Sequence, residues 1–213
     1  MHLIHRGIVS KKYHENLLKS FEQSFKKGFG IETDIHATKD NEFICFHDFT
    51  LTRIFNRKES VKNLSYLQIQ NISEKQKKPV PLLKNLLKSS KNKYFLFIEI
   101  KPTFSMKQLK KLLNETKKHK KCVFISFKHK NIFNILKLNK KAKVGLSFSP
   151  PNSIRSIIQK SKDIKINCLI LDKFYLKSKK VMELKINKYF YTIKKRSEFK
   201  KHSKGNNLIF ENL

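Results

Sequence analysis

The segment Gly30 to Asp48, GIETDIHATKDNEFICFHD, reads as two apolar strands and a turn. It nevertheless places Glu32, Asp34, His36 and His47 where plain strands carry Val or Ile. Glu32 and Asp34 stand two apart in an extended run, so both carboxylates face one side. Side by side they repel unless a cation lies between them. Glu99 closes another run, LFIEIK, that is otherwise apolar. Three carboxylates at strand ends make a hard, oxygen-rich donor set, suited to one divalent cation, Mg2+ or Ca2+, rather than to zinc. Glu99 taken alone could instead pair with Lys101, which shares its face, but that pair does not account for three acids.

Two histidines extend the set, His5 in IHRG and His47 in FHD, each at a strand end. A neutral imidazole can take one proton and give another, the requirement for general acid and base work. Arg6 follows His5, and its planar fork suits a phosphate diester. His36 shares the parity of Glu32 and Asp34 but lies nearer the turn. The remaining histidines read as solvated or core-edge groups.

Short apolar strands alternate with amphipathic helices along the whole chain. Strands are expected at 2–5, 30–36, 42–47, 94–101, 122–127, 143–148, 166–171, 188–193 and 207–210. The helix over 14–29 carries Leu17, Leu18, Phe21 and Phe25 on one face, with Gly28 and Gly30 as stop signals. A helix over 81–90 has Pro81 in its first turn, one over 105–120 has Met106, Leu109, Leu112 and Leu113 as its stripe, and another follows Pro150 and Pro151. This alternation implies parallel strands with helical crossovers. The count suits an α/β fold of the (β/α)8 TIM-barrel type, with a doubly wound sheet as the other architecture open to it, and one extra strand. No linker or shift in composition divides residues 1–213, which are expected to form a single domain.

The extra strand is the one near 42–47. Too few residues separate it from its predecessor for a parallel crossover, so the two must form an antiparallel hairpin. A turn at Lys39–Asp40 places Glu32 across from His47 and Asp34 across from Cys45. Residues directly opposite share a face, and a slip of one residue would turn His47 away.

These motifs, in this order, closely resemble the glycerophosphodiester phosphodiesterase family. HRG, EN, an amphipathic helix, ETDIHATKD, HDFTLTR and later IEIK follow that family's pattern of HRG, EN, E-x-D-x-x-x-T-K/R-D, HD-x-x-L-x-R and E-x-K. The match is close from Ile4 to Arg53 and again at 97–101. It is looser beyond, where Tyr191 stands in place of a tryptophan, and Phe210–Glu211 in NNLIFENL replaces a closing Thr-Asp. The resemblance implies a β/α barrel that hydrolyses glycerophosphodiesters to glycerol 3-phosphate and an alcohol with a divalent cation. It assigns the metal to Glu32, Asp34 and Glu99, acid and base roles to His5 and His47, and phosphate binding to Arg6 and Lys101. The alternatives are a lysophospholipase-D-type activity at membranes and a catalytically silent barrel that binds anions. Retention of all five metal and histidine positions favours the enzyme.

Composition adds boundaries. The chain of 213 residues carries a formal net charge of +32, which attracts a phosphate substrate and, weakly, an anionic membrane or nucleic acid. Lys, Asn, Ile and Phe are abundant and the lysines are scattered through every helix and turn, which favours codon drift in an AT-rich genome over a dedicated polyanion patch. Cys45, Cys122 and Cys168 lie far apart in apolar runs and are expected to be buried free thiols of a cytoplasmic protein. No apolar run reaches the ~18 residues of a membrane span. MHLIHRG lacks the basic and apolar regions of a signal peptide, and no obligate protein partner is evident.

Overall fold

Strands joined through helices cannot turn back on themselves, and they pair in parallel. In the computed structural model, which describes every residue except Pro151, Ile164, Asn212 and Leu213, nine strands form one sheet. They are β1 (Leu3–His5), β2 (Gly30–Ala37), β3 (Phe43–Cys45), β4 (Leu96–Ile100), β5 (Cys122–Ser126), β6 (Val144–Phe148), β7 (Cys168–Asp172), β8 (Asn187–Ile193) and β9 (Asn207–Phe210). All but β3 pair in parallel in chain order, and the ring closes where Leu3 and Ile4 register with Ile209 and Phe210. The expected barrel and its extra strand are thus both present. Pro151 and the last two residues of the closing segment lie outside the described residues.

Alternation along each strand builds two cores. Leu3, Phe97, Val123, Ile125, Cys168, Ile170, Tyr189 and Ile209 fill the barrel interior. The opposite faces pack against the helices in a larger layer that includes Phe21, Phe25, Leu86, Leu109, Ile132 and Ile157. The interior face changes character toward the strand C-terminal ends. Leu3 is followed two residues on by His5, Phe97 by Glu99 and Ile209 by Glu211, so an apolar floor carries a polar rim.

A third cluster, with Ile44, Phe46, Leu51, Phe55, Val61, Ile69 and Val80, anchors the long connection from β2 to β4. Two short elements there, the helix Thr52–Phe55 and the 3-10 turn Val61–Asn63, are too brief to show a sequence period. Helix starts also differ from expectation. Pro81 precedes the helix Leu83–Ser90, and its carbonyl accepts a bond from the Cys45 N–H at 2.9 Å. Met106 opens its helix just after the Ser105 cap and is 44% exposed rather than part of the buried stripe. The first helix runs only over Leu18–Lys26, and Leu17 is its extended cap.

The hairpin is present but out of the expected register by one residue. Ile35, not Asp34, faces Cys45, and His36 faces Ile44. The turn holds three residues rather than two. Thr38 N–H donates to Glu42 O and Asn41 N–H to Thr38 O, both at 2.9 Å, with Asn41 in the left-handed region at φ 59°. His47 still escapes the wrong face, because β3 ends at Cys45. Beyond Phe46, whose N–H donates to Asp34 O at 3.0 Å, the pleat no longer fixes which way a side chain points.

Gly30 acts differently from the stop signal expected of it. The first helix already closes at Gly28, with Gly28 N–H to Phe25 O and Phe29 N–H to Ser24 O. Gly30 opens β2, where a Cβ would lie 2.6 Å from the Phe95 carbonyl oxygen. Gly30→Ala should therefore lower stability by about 1–3 kcal/mol, read as a lower midpoint in urea unfolding. An unchanged midpoint would contradict so close an approach of β2 to the chain ahead of β4.

Candidate active site

The parallel register sets the rim residues side by side. His5 of β1 pairs with Glu32 of β2, and Asp34 of β2 pairs with Glu99 of β4. Glu32, Asp34 and Glu99 are all buried, and each offers a carboxylate oxygen within 4.8 Å of the other two. Lys101 Nζ lies 2.8 Å from Glu99 Oε1 and 3.5 Å from Asp34 Oδ1. Arg6 Nε stands 3.0 Å from Asp34 Oδ2, yet its N–H is not aimed at that oxygen, so the contact is an ion pair without a hydrogen bond. The Glu99–Lys101 pair does form, but it leaves Glu32 without a direct partner. Glu32 Oε2 is buried with no hydrogen-bond partner, 3.7 Å from His5 Nε2.

The three acids titrate apart. Burial, and after it the charges of Asp34 and Glu99, push Glu32 well above the ordinary carboxylate range. Burial and Asp34 push Glu99 up to about 7, against Lys101. Burial would raise Asp34 as well, but Arg6 and Lys101 outweigh it and hold Asp34 below its ordinary value. Burial disfavours the charged forms of Lys101 and Arg6, but the acids around them win and both are raised.

Each histidine of the pair is held by a carboxylate. His5 Nδ1–H donates to Glu211 Oε2 at 3.0 Å, and His47 Nδ1–H donates to Asp48 Oδ1 at 2.6 Å. A carboxylate can only accept, so in both rings Nδ1 carries the proton and Nε2 is the unprotonated atom when the ring is neutral. Glu211 is held down at about 2 by the bond from His5, which prevails over burial with help from Lys194, 2.8 Å away. Asp48 is clamped by Arg53 at 2.7 Å, and Arg53 also reaches Glu15. Burial lowers His47. His36 resolves as a structural group. It is buried, bonded through Nε2 to His47 O at 3.1 Å, and lowered to about 4, chiefly by burial.

Of the residues singled out in the sequence, His5, Arg6, Glu32, His47, Glu99 and Lys101 line one cavity of about 490 Å3, and Asp34 lies beneath it. The cavity is also lined by apolar Ile125, Phe127, Ile170 and Ile209 and by Tyr191, whose hydroxyl donates to Phe148 O at 2.8 Å. Sequence reasoning did not assign site positions to Glu15, Asn16, Asp48, Arg53 or Glu211. The EN and HDFTLTR motifs already contained the first four. Glu15 accepts from Arg6 and Arg53, while Asn16 donates to Asp34 Oδ2 at 3.3 Å and accepts from Thr33 at 2.8 Å. Glu211 sits at the closing acid position, so the altered Phe210–Glu211 ending retains a carboxylate beside His5.

The glycerophosphoryl diester phosphodiesterase family matches residues 5–208. A glycerophosphodiester phosphodiesterase of Caldanaerobacter subterraneus subsp. tengcongensis is 28% identical over a 160-residue alignment that covers 68% of this chain and 65%, less than two thirds, of that protein. A glycerophosphodiester phosphodiesterase of Thermotoga maritima superposes with a TM-score of 0.83 at 20% identity over 98% of this chain and 92% of that one. An Oleispira antarctica phosphodiesterase, solved with its product sn-glycerol-3-phosphate, superposes with a TM-score of 0.84 at 18% identity over 99% and 92%. At such identities the two structures speak for the fold, and the family match speaks for descent: the chain belongs to the glycerophosphoryl diester phosphodiesterase family.

Proposed function

We propose that residues 1–213 act as one unit that hydrolyses glycerophosphodiesters to glycerol 3-phosphate and an alcohol, with a divalent cation. The observation that carries this reading is the buried triad of Glu32, Asp34 and Glu99 at the mouth of the barrel, flanked by two histidines and two cations. The Oleispira relative with glycerol 3-phosphate bound supports the substrate class.

The donor set fits a hard cation. Three carboxylates have Arg6 and Lys101 as their permanently charged neighbours, and the orphaned Glu32 Oε2 is a buried acceptor that an ion would satisfy. Mg2+ or Ca2+ held by Glu32, Asp34 and Glu99 would turn a site that repels a phosphodiester into one that attracts it, and would draw charge from the nonbridging oxygens. Arg6 and Lys101, already on the cavity wall, hold the same phosphate. His5 and His47 then divide the proton transfers at Nε2. One, neutral there, takes the proton of the nucleophile, either water or a neighbouring substrate hydroxyl, and the other, as the imidazolium, gives its Nε2 proton to the leaving alkoxide, which is too basic to depart unaided. Where a substrate hydroxyl attacks, water opens the resulting cyclic phosphate in a second step with the two histidines exchanging roles. Glu211 and Asp48 fix the tautomers that make this possible.

Incubated with glycerophosphocholine or glycerophosphoethanolamine, the protein should release glycerol 3-phosphate. The rate should collapse with EDTA and fall by about 10²–10⁴-fold in His47→Ala. Activity indifferent to both treatments would sink the mechanism, and no turnover on any glycerophosphodiester would sink the function.

The cation should also compete with protons. Without a bound cation Glu99, at about 7, is partly protonated at neutral pH, and Glu32 is shifted in the same direction by burial and its acidic neighbours; only the ionised forms bind a cation. Affinity for Mg2+ or Ca2+ should therefore rise as pH increases from 6 to 8, with net proton release on binding. Isothermal titration in two buffers of different ionisation enthalpy measures this. Asp34→Asn should abolish the binding heat, and pH-independent binding without proton release would place the ion elsewhere.

A further inference from the structure

The scatter of lysine along the sequence conceals a spatial order. Each of the seven turns that lead from a helix into a barrel strand carries exposed lysine. Lys27 precedes β2, Lys93 precedes β4, and Lys118, Lys141, Lys165, Lys185 and Lys204 precede the next five strands in turn. In a β/α barrel all such turns lie on the face at the strand N-terminal ends, opposite the mouth. The acids within these turns, among the described residues, are Asp163 and Glu183.

The two faces also differ in acid content. Around the mouth several cations meet acids, with Arg6 and Arg53 on Glu15, Arg57 on Glu59, Lys173 on Glu198 and Lys194 on Glu211, beside lysines unpaired among the described residues, such as Lys11, Lys58, Lys62 and Lys177. Among the described residues, none of the seven turn lysines named above has a carboxylate within 4.0 Å. A ring of unpaired like charges on one side of a small domain sets up a one-signed field that an anionic surface relieves.

We propose that this face docks the protein on an anionic lipid bilayer, with the catalytic mouth turned to water. The ring lies on the end face of a barrel and is built of lysine without arginine. Lysine is a hydrated point charge suited to a diffuse anionic surface, and each one near such a surface adds attraction. Nucleic acid fits less well, because base readout and strand binding call for arginine forks and aromatic platforms, and the aromatics nearest these turns, Phe29, Tyr94 and Phe95, are half-buried. The orientation selects the substrate. A mouth facing away from the bilayer takes water-soluble, deacylated diesters rather than lipids still held in the membrane.

Co-sedimentation with vesicles of phosphatidylglycerol and phosphatidylcholine, against phosphatidylcholine alone, tests the docking. Binding should need the anionic lipid and should fall at least tenfold between 50 mM and 500 mM salt, as screening shortens the field. Reversal to Glu at Lys118, Lys141, Lys185 and Lys204 should lower vesicle affinity at least tenfold and leave turnover of soluble glycerophosphocholine unchanged. Reversal at four lysines of the other side, Lys11, Lys58, Lys62 and Lys177, should change affinity less than threefold. If the Glu variant fails to fold, Gln at the same positions is read in the same way. Equal loss from both sets, no binding to anionic vesicles, or tighter binding of duplex RNA than of vesicles would overturn the proposal. Failure to hydrolyse glycerophosphocholine would remove the function proposed above without touching the docking result.

Discussion

Three like charges crowded at the rim of a closed barrel form the constraint around which the rest of the site is arranged. Glu32, Asp34 and Glu99 are all buried and share one small volume, where ionised carboxylates are costly without compensation. Arg6 and Lys101 supply that compensation unevenly. Both act on Asp34, Lys101 also pairs with Glu99, and Glu32 is left without a partner. The titration of the triad follows from this asymmetry: Asp34 is held ionised while Glu32 and Glu99 are pushed toward the neutral form. Three acids so disposed could hold an ion.

The supporting shell keeps the compensating groups in place. Glu15 takes up the outer part of Arg6 and is itself tied to Arg53, which also clamps Asp48 behind His47. Asn16 bridges Thr33 and Asp34. Gly7, in the HRG turn, is pressed against the first helix, where a Cβ would lie 2.8 Å from the Ser20 carbonyl carbon. That packing brings the HRG turn and the EN pair together, so residues distant from the reacting atoms set the geometry of Arg6.

The two histidines reach the rim by different routes. His5 is delivered by strand alternation from β1, directly beside Glu32 in the parallel register. His47 arrives after its strand has ended, on a lobe with its own apolar cluster. Each nevertheless meets a carboxylate at Nδ1. The same protonation pattern thus arises once from the closing strand and once from the chain neighbour.

Much of the fold was legible because its signals are local. Apolar runs of strand length alternating with helical stripes dictate parallel crossovers, and a connection too short for a crossover dictates a hairpin. The spacing of Glu32 and Asp34, and the isolated Glu99 in LFIEIK, exposed the triad by parity alone. The hairpin register was misjudged because one residue more in the turn, with Asn41 in the left-handed region, shifts every pair, and sequence does not count turn residues reliably. The roles of Asp48, Glu211 and Arg53 depend on which groups converge across sequence separations as large as that from His5 to Glu211, and only ring closure brings those ends together. The lysines show the same division most plainly. Their number is a property of the sequence, but that those of the seven helix-to-strand turns share one face follows from the barrel, which sends every such turn to the same side.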